Sequence, residues 1–161
     1  MMYVANISNS SLVNGDGCRA VITFSGCTLD CKGCFSKELQ HFTSGEKISP
    51  QELAKLLIRV VDGGGKMIDG ITLSGGNPPE QPDIMIFLAE IRRLIPFVNI
   101  WMWTGFTMKE MKALYPEMLT YLNVIVTGRF VEELKCDGQY YGSSNQEVWR
   151  MKNKEWIKDE K

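Results

Sequence analysis

The chain has 161 residues, 44% hydrophobic and 23% charged, enough to bury one substantial core. Eighteen Lys and Arg against nineteen Asp and Glu leave a net charge of -1, which provides neither a basic face for nucleic acid nor a cationic patch for an anionic membrane. The N-terminal stretch has no basic region followed by an apolar one, and no apolar run approaches bilayer length, so a cytoplasmic protein with no membrane and no nucleic-acid partner is expected.

In chain order, residues 18–24 (Cys-Arg-Ala-Val-Ile-Thr-Phe) predict a buried strand that Ser25-Gly26 ends. Directly after it come Cys27, Cys31 and Cys34, three of the chain's five cysteines within eight residues. An odd cysteine count with three clustered fits metal ligation in a reducing compartment better than a disulfide framework. Soft thiolates so close together wrap one side of a small iron-sulfur cluster; such clusters normally take four, so three would leave one iron open for reaction. Other readings stay open at this point. Cys18, His41 or Cys136 could complete a structural zinc site. A ferredoxin-like centre would want a fourth nearby cysteine, and none lies between Cys34 and Cys136. Free core cysteines fit a polar, glycine-flanked loop poorly.

Further along, Ser49-Pro50-Gln51-Glu52 is a capping box with Pro at the first helical position, and Leu53, Leu56, Leu57 and Val60 follow at helical spacing. Gly63-Gly64-Gly65 should break this helix, and residues 68–73 predict a short strand running into Ser74-Gly75-Gly76-Asn77-Pro78-Pro79. Ile84, Phe87, Leu88, Ile91 and Ile95 mark one helix face, closed by Pro96. Residues 97–103 form a third expected strand, ending at Thr104-Gly105-Phe106. Thr107 to Glu110 is a second capping box, opening a short helix with Met111 and Leu114 inward. Residues 121–126 form a fourth strand. Residues 136–146 are glycine-rich and polar, and the charged tail from Arg150 is expected to be solvated around Trp156.

Strand, loop and helix thus alternate, which predicts an α/β fold with a mostly parallel sheet, crossover helices and one or two further strands. The chain is too short for a closed eight-stranded barrel, so an open or partial (β/α) barrel is expected, as one domain spanning 1–161. Ligands in such sheets bind at the strands' carboxyl ends, where every unusual loop lies.

The C-x3-C-x2-C spacing resembles that of radical S-adenosylmethionine (SAM) enzymes. Taken with Asn14-Gly15-Asp16-Gly17-Cys18-Arg19, Ser74-Gly75-Gly76, Trp103-Thr104-Gly105-Phe106 and Gly142-Ser143-Ser144-Asn145-Gln146, it makes nearly the whole chain similar to the anaerobic ribonucleotide reductase activating proteins. That resemblance implies a 4Fe-4S cluster on Cys27, Cys31 and Cys34, with SAM on its open iron. It also implies electron transfer that splits SAM into methionine and a deoxyadenosyl radical, which removes hydrogen from a glycine of the large reductase subunit. An electron donor such as flavodoxin is implied too. Gly33, Cys34 and Phe35 would lie near the adenosyl part of SAM, Ser74, Gly75 and Gly76 near its methionyl part, and Thr104 within hydrogen-bonding reach. Asn77 stands where the family usually has an acid, and would meet the SAM ammonium as a neutral acceptor. Thr127 and Glu147 also depart from the family pattern, where Asp and Arg are common. The cofactor would carry the chemistry, so no acid-base pair is expected, and the single His41 reads as a surface residue.

Overall fold

The computed structural model describes residues 1–63 and 67–161. Met2–Ser11 (β1) lies antiparallel to Arg19–Phe24 (β2), and the short Glu46–Ile48 (β3) pairs with the start of β1. Pro50–Gly63 (α1) precedes Gly70–Gly75 (β4), and Ile84–Leu94 (α2) precedes Asn99–Thr104 (β5). Met108–Leu114 (α3) and the single turn Pro116–Leu119 (α4) lead to Val124–Thr127 (β6), and Glu147–Lys152 (β7) and Glu155–Lys158 (β8) form a hairpin. All eight strands make one sheet, in the order β3-β1-β2-β4-β5-β6-β7-β8.

The result is a mixed α/β fold whose sheet is not closed. β2, β4, β5 and β6 run parallel through the centre, as the alternating pattern requires, while both flanks are antiparallel. The flanks correct the sequence reading in two respects: they add four strands to the central four where one or two were expected, and they take in the C-terminal tail. The charged tail keeps most of its side chains exposed, as expected, but it is a strand hairpin rather than free chain: Asn153 and Lys154 take left-handed φ of 51° and 67°, a two-residue turn that folds β8 back on β7. The expected glycine break beyond Gly63 falls on residues 64–65, outside the described residues.

Because side chains alternate along a strand, each central strand serves two layers. Ala20, Ile22, Phe24, Ile71, Leu73, Ile100, Met102 and Ile125 face the helices and bury Leu53, Leu57, Phe87, Leu88, Ile91 and Met111. Both capping boxes form: Ser49 exchanges hydrogen bonds with Glu52, and Thr107 with Glu110. Two of the expected inward residues point out. Leu56 and Leu114 are exposed, and Ala54 and Met108 take the buried positions instead. Ala54 and Met108 each stand three residues before a buried residue, Leu57 and Met111, on the same helix face.

On the opposite face the central residue is Arg19, 1% exposed. Its guanidinium donates to Thr72 Oγ1 (2.8 Å), to the carbonyls of Asp16 (3.1 Å), Ile71 (2.8 Å) and Asn99 (2.9 Å), and to Asn99 Oδ1 (3.1 Å). Burial pushes it down to about 10, against the pull of Asp16 and Asp69, so it stays charged at neutral pH. The Trp101 ring lies between it (5.4 Å) and Arg150 (5.0 Å). Arg150 in turn pairs with Asp16 (2.8 Å) and Asp159 (2.7 Å), tying the terminal hairpin to the β1–β2 loop. Replacing Arg19 by Met strands several buried acceptors, so R19M should lose about 3 kcal/mol or more of stability in urea unfolding. A loss below about 1 kcal/mol would show that the acceptors find other partners.

Candidate metal centre

Where β2 ends, the chain is fixed before it reaches the first cysteine. The N–H groups of Gly26 and Cys27 donate to the carbonyls of Leu39 (2.7 Å) and Gln40 (2.9 Å), and Ser25 Oγ donates to the Phe42 carbonyl (2.8 Å). Cys31 and Cys34 close a turn, with the Cys34 N–H on the Cys31 carbonyl at 3.2 Å. Its third residue, Gly33, has φ of 72°, a conformation that glycine adopts at no steric expense. The Ser36 N–H then donates to Cys34 Sγ at 3.4 Å. All five cysteines are free and half-buried.

Cys27, Cys31 and Cys34 line a cleft of about 560 Å3. Ser74, Gly75 and Gly76 from the end of β4, Trp103 to Gly105 from β5 and Gly128 after β6 line it too, so the four parallel strands bring their loops together as the topology rule requires. A larger groove, about 880 Å3, lies between β1, β3 and α1, but it holds no cysteine and its Lys47, Lys55 and Arg59 are accompanied by Glu46 and Glu52. The clustered free thiols line the smaller cleft.

The loops are stitched to one another. The N–H of Gly76 donates to the Phe24 carbonyl (2.8 Å) and that of Asn77 to the Gly26 carbonyl (2.8 Å), extending the β2–β4 ladder past the strands. A Cβ on Gly75 would strike Phe24 backbone and one on Gly76 would strike the Gly26 carbonyl, so both glycines are needed for this approach. Asn77 is fully buried. Its Oδ1 accepts from Thr104 Oγ1 (2.7 Å) and the Gly105 N–H (3.3 Å), and its Nδ2 donates to Glu80 (2.8 Å). Glu80 also accepts from the N–H (3.1 Å) and hydroxyl of Thr28, inside the cysteine loop.

The remaining wall comes from residues 128–146. Gln146 Oε1 accepts from the N–H groups of Gly142 (2.9 Å) and Ser143 (3.2 Å), while its Nε2 donates to the Gly128 carbonyl (2.9 Å). Asn145 donates to the Arg129 carbonyl (2.8 Å), and buried Ser143 accepts from the Val131 N–H (3.2 Å). The Gly-Ser-Ser-Asn-Gln stretch is therefore a clamp that shapes the chain after β6. Trp103 Nε1 donates to the Tyr140 carbonyl at 2.7 Å, and the Tyr140 ring meets Trp101 edge-on at 5.1 Å.

Of the residues singled out from sequence, Cys27, Cys31, Cys34, Phe35, Ser74, Gly75, Gly76 and Thr104 border the cleft. Phe35 is 68% exposed at its mouth, edge-on to Phe130 at 5.2 Å. Gly33 backs onto Glu132 instead, and Asn77 sits behind the wall with donor and acceptor both taken. Cys136, distant in sequence, borders the same cleft. Sequence reasoning missed Glu80 and Arg129, whose partners are remote in the chain and carry no local spacing signal. Arg129 pairs with Glu110 through two bonds of 3.0 and 3.1 Å.

Burial pushes the Cys27 thiol up, partly offset by the Leu29 N–H, with Glu80 raising it further. Burial likewise raises Cys31, against the Phe130 N–H and the charge of Arg129. Three free thiols from one loop on one wall suit an iron-sulfur cluster held by thiolates, with a coordination position to spare. Among the described residues, no three His, Cys, Asp or Glu side chains converge tightly enough to hold a single metal ion.

Comparison with known proteins agrees with this chemistry. Residues 13–149 match the family model described as "4Fe-4S single cluster domain". The chain is 35% identical over 145 residues to the anaerobic ribonucleoside-triphosphate reductase-activating protein of Escherichia coli K12, covering 88% of this chain and 94% of that one. It is 34% identical to the Salmonella typhi protein of the same name, with the same coverage, and 30% identical to that of Enterobacteria phage T4, covering 91% and 93%.

Two outcomes follow from the stitching. N77D sets a second carboxylate against Glu80 and removes the amide donor, and should cost about 1–3 kcal/mol in urea unfolding; an unchanged midpoint would take the bracket out of the loop's support. Glu110 is held down to about 2 by Arg129 and then by the Thr107 N–H. A carboxylate lowered in the folded state stabilises above its usual value near 4.5, and that contribution fades as pH falls from there towards 2. Stability of the E110Q protein should therefore fall less steeply than wild type over that window. Parallel pH curves would contradict this.

Proposed function

The chain belongs to the 4Fe-4S single cluster domain family and to the anaerobic ribonucleoside-triphosphate reductase-activating proteins, and from that premise we propose that Cys27, Cys31 and Cys34 hold the cluster in the strand-end cleft. The enzyme is a radical SAM activase that generates a glycyl radical on anaerobic ribonucleotide reductase. The observation that carries the residue assignment is the placement of three free thiols of one loop on the wall where four strand ends meet. Held by these three thiolates, the cluster would supply the one electron that reductive cleavage of SAM needs, and with it the means to remove hydrogen from the reductase glycine.

This chain's residues bind, orient and exclude water. Ser74, Gly75 and Gly76 present backbone to the methionyl end of SAM, while Cys34 and Phe35 border the adenosyl end. Thr104 holds Asn77, and through it the loop spacing, rather than offering a free hydroxyl: it already donates to Asn77 and accepts from the Phe106 N–H at 3.1 Å. Gly33 acts through its turn and Asn77 through its bracket. The partner is the large reductase subunit, which brings a glycine loop to the cleft, and a flavodoxin-type protein is the electron donor. Parallel central strands with helices on one face support a partial (β/α) barrel of radical SAM type, and one continuous sheet supports a single domain over 1–161. The cytoplasm suits the free cysteines; no helix among the described residues is long and apolar enough to cross a membrane.

Anaerobic reconstitution of Cys→Ala variants tests the assignment. C27A, C31A and C34A should each lose the 4Fe-4S signal and SAM cleavage, while C18A and C136A keep both. The wild-type protein with SAM, a one-electron reductant and the reductase should give a glycyl doublet by electron paramagnetic resonance. Loss of iron in C136A equal to that in C31A would overturn the three-thiolate reading.

A further inference from the structure

Two charged side chains approach the cysteine loop from different strand ends. Glu80, just past β4, binds the N–H and hydroxyl of Thr28, the residue after Cys27, and the Asn77 amide. All three donors are neutral, and among the described residues no Lys or Arg forms an ion pair with Glu80. Arg129, just past β6, stands between Gly128 and Phe130, which both line the cleft, and its side chain lies across Gly105 from Leu29 of the cysteine loop, both within 4 Å of where a Cβ on that glycine would sit. Its guanidinium is shared with Glu110, so part of its field is cancelled locally. The two charges thus differ in sign and in compensation.

Building on the reading of Cys27, Cys31 and Cys34 as ligands, we propose that Glu80 and Arg129 are opposed fixed charges that set the reduction potential of the cluster, Glu80 also positioning the loop that holds it. Reduction adds one negative charge to the cluster. A neighbouring carboxylate opposes that addition and lowers the potential, whereas a neighbouring guanidinium favours it. Since Glu80 has no ion-pair partner among the described residues and Arg129 shares its charge with Glu110, the carboxylate dominates and the reduced cluster becomes a stronger electron donor, which is what splitting SAM demands. Glu80 also restrains Thr28 between two ligands, so its brace and its charge act on the same loop.

Substitution separates the two roles. Glu80→Gln keeps the side chain's shape: its amide oxygen accepts from the Thr28 N–H and Asn77, and the Thr28 hydroxyl turns to accept from its amino group. Redox titration of the reconstituted E80Q protein, followed by the cluster's electron paramagnetic resonance signal, should show a raised midpoint potential. A change on the order of tenfold in the reduction equilibrium, about 59 mV for one electron, is expected. R129Q, which leaves the Thr28 contacts intact, should shift the potential the other way and by less. E80A should lose iron faster on dilution than E80Q, because only the alanine removes the brace. An E80Q potential equal to wild type, or shifts of the same sign in E80Q and R129Q, would overturn the proposal. A wild-type protein that takes up no cluster would overturn the ligand reading itself, and this inference with it.

Discussion

The buried carboxamide of Asn77 joins the loops on which the cleft depends. It receives hydrogen bonds from Thr104 and Gly105 at the end of β5, gives one to Glu80, and through Glu80 reaches Thr28 in the cysteine loop. Inside the protein, where water does not compete, such a chain of bonds is stronger than its members would be at the surface. An aspartate in this position could not donate to Glu80, and two carboxylates would face each other at hydrogen-bond distance. The pairing of Asn77 with Glu80 is therefore a consistent unit, and the neutral residue reflects where the chain has put its negative charge.

Stability on the far face of the sheet serves the same site. Arg19 and Arg150 enclose Trp101, Trp101 meets the Tyr140 ring, and Trp103 holds the Tyr140 carbonyl, so the outer wall of the cleft rests on the sheet through aromatic contacts. Gln146 and Ser143 fix the other end of that wall to the chain after β6. Packing and function are linked here by geometry: the residues that bury Arg19 also determine where Tyr140 stands relative to the cysteines.

The parallel centre was legible because each of its strands is an apolar run that ends in a loop, with helical patterns between them, and because both capping boxes are local patterns that form as written. The antiparallel strands were not. β1 carries Asn6, Ser8, Asn9, Ser10 and Ser11, β3 has three residues, and β7 and β8 are charged, so none presents the apolar run by which a buried strand is recognised. The cysteines were legible for the same reason as the capping boxes: the three thiols lie within one short loop. Glu80 acts on Thr28 across 52 residues, and Cys136 reaches the cleft only through the fold. Long-range partners leave no spacing for a single sequence to display, and Asn77 looked like a ligand contact because its buried bracket is invisible in one dimension.

The topology also explains how the cleft can admit a polypeptide. The sheet ends at β3 on one side and β8 on the other, so its strand-end loops enclose the cysteines without closing over them. Phe35 and Val13, both largely exposed, border the opening, while bare glycine backbone lies deeper. A closed barrel would bury the loops more completely, but would confine the site to molecules that diffuse in whole. Hydrogen abstraction from a protein glycine requires near contact between donor and acceptor atoms, which only a site open along one side grants to a chain segment still attached at both ends.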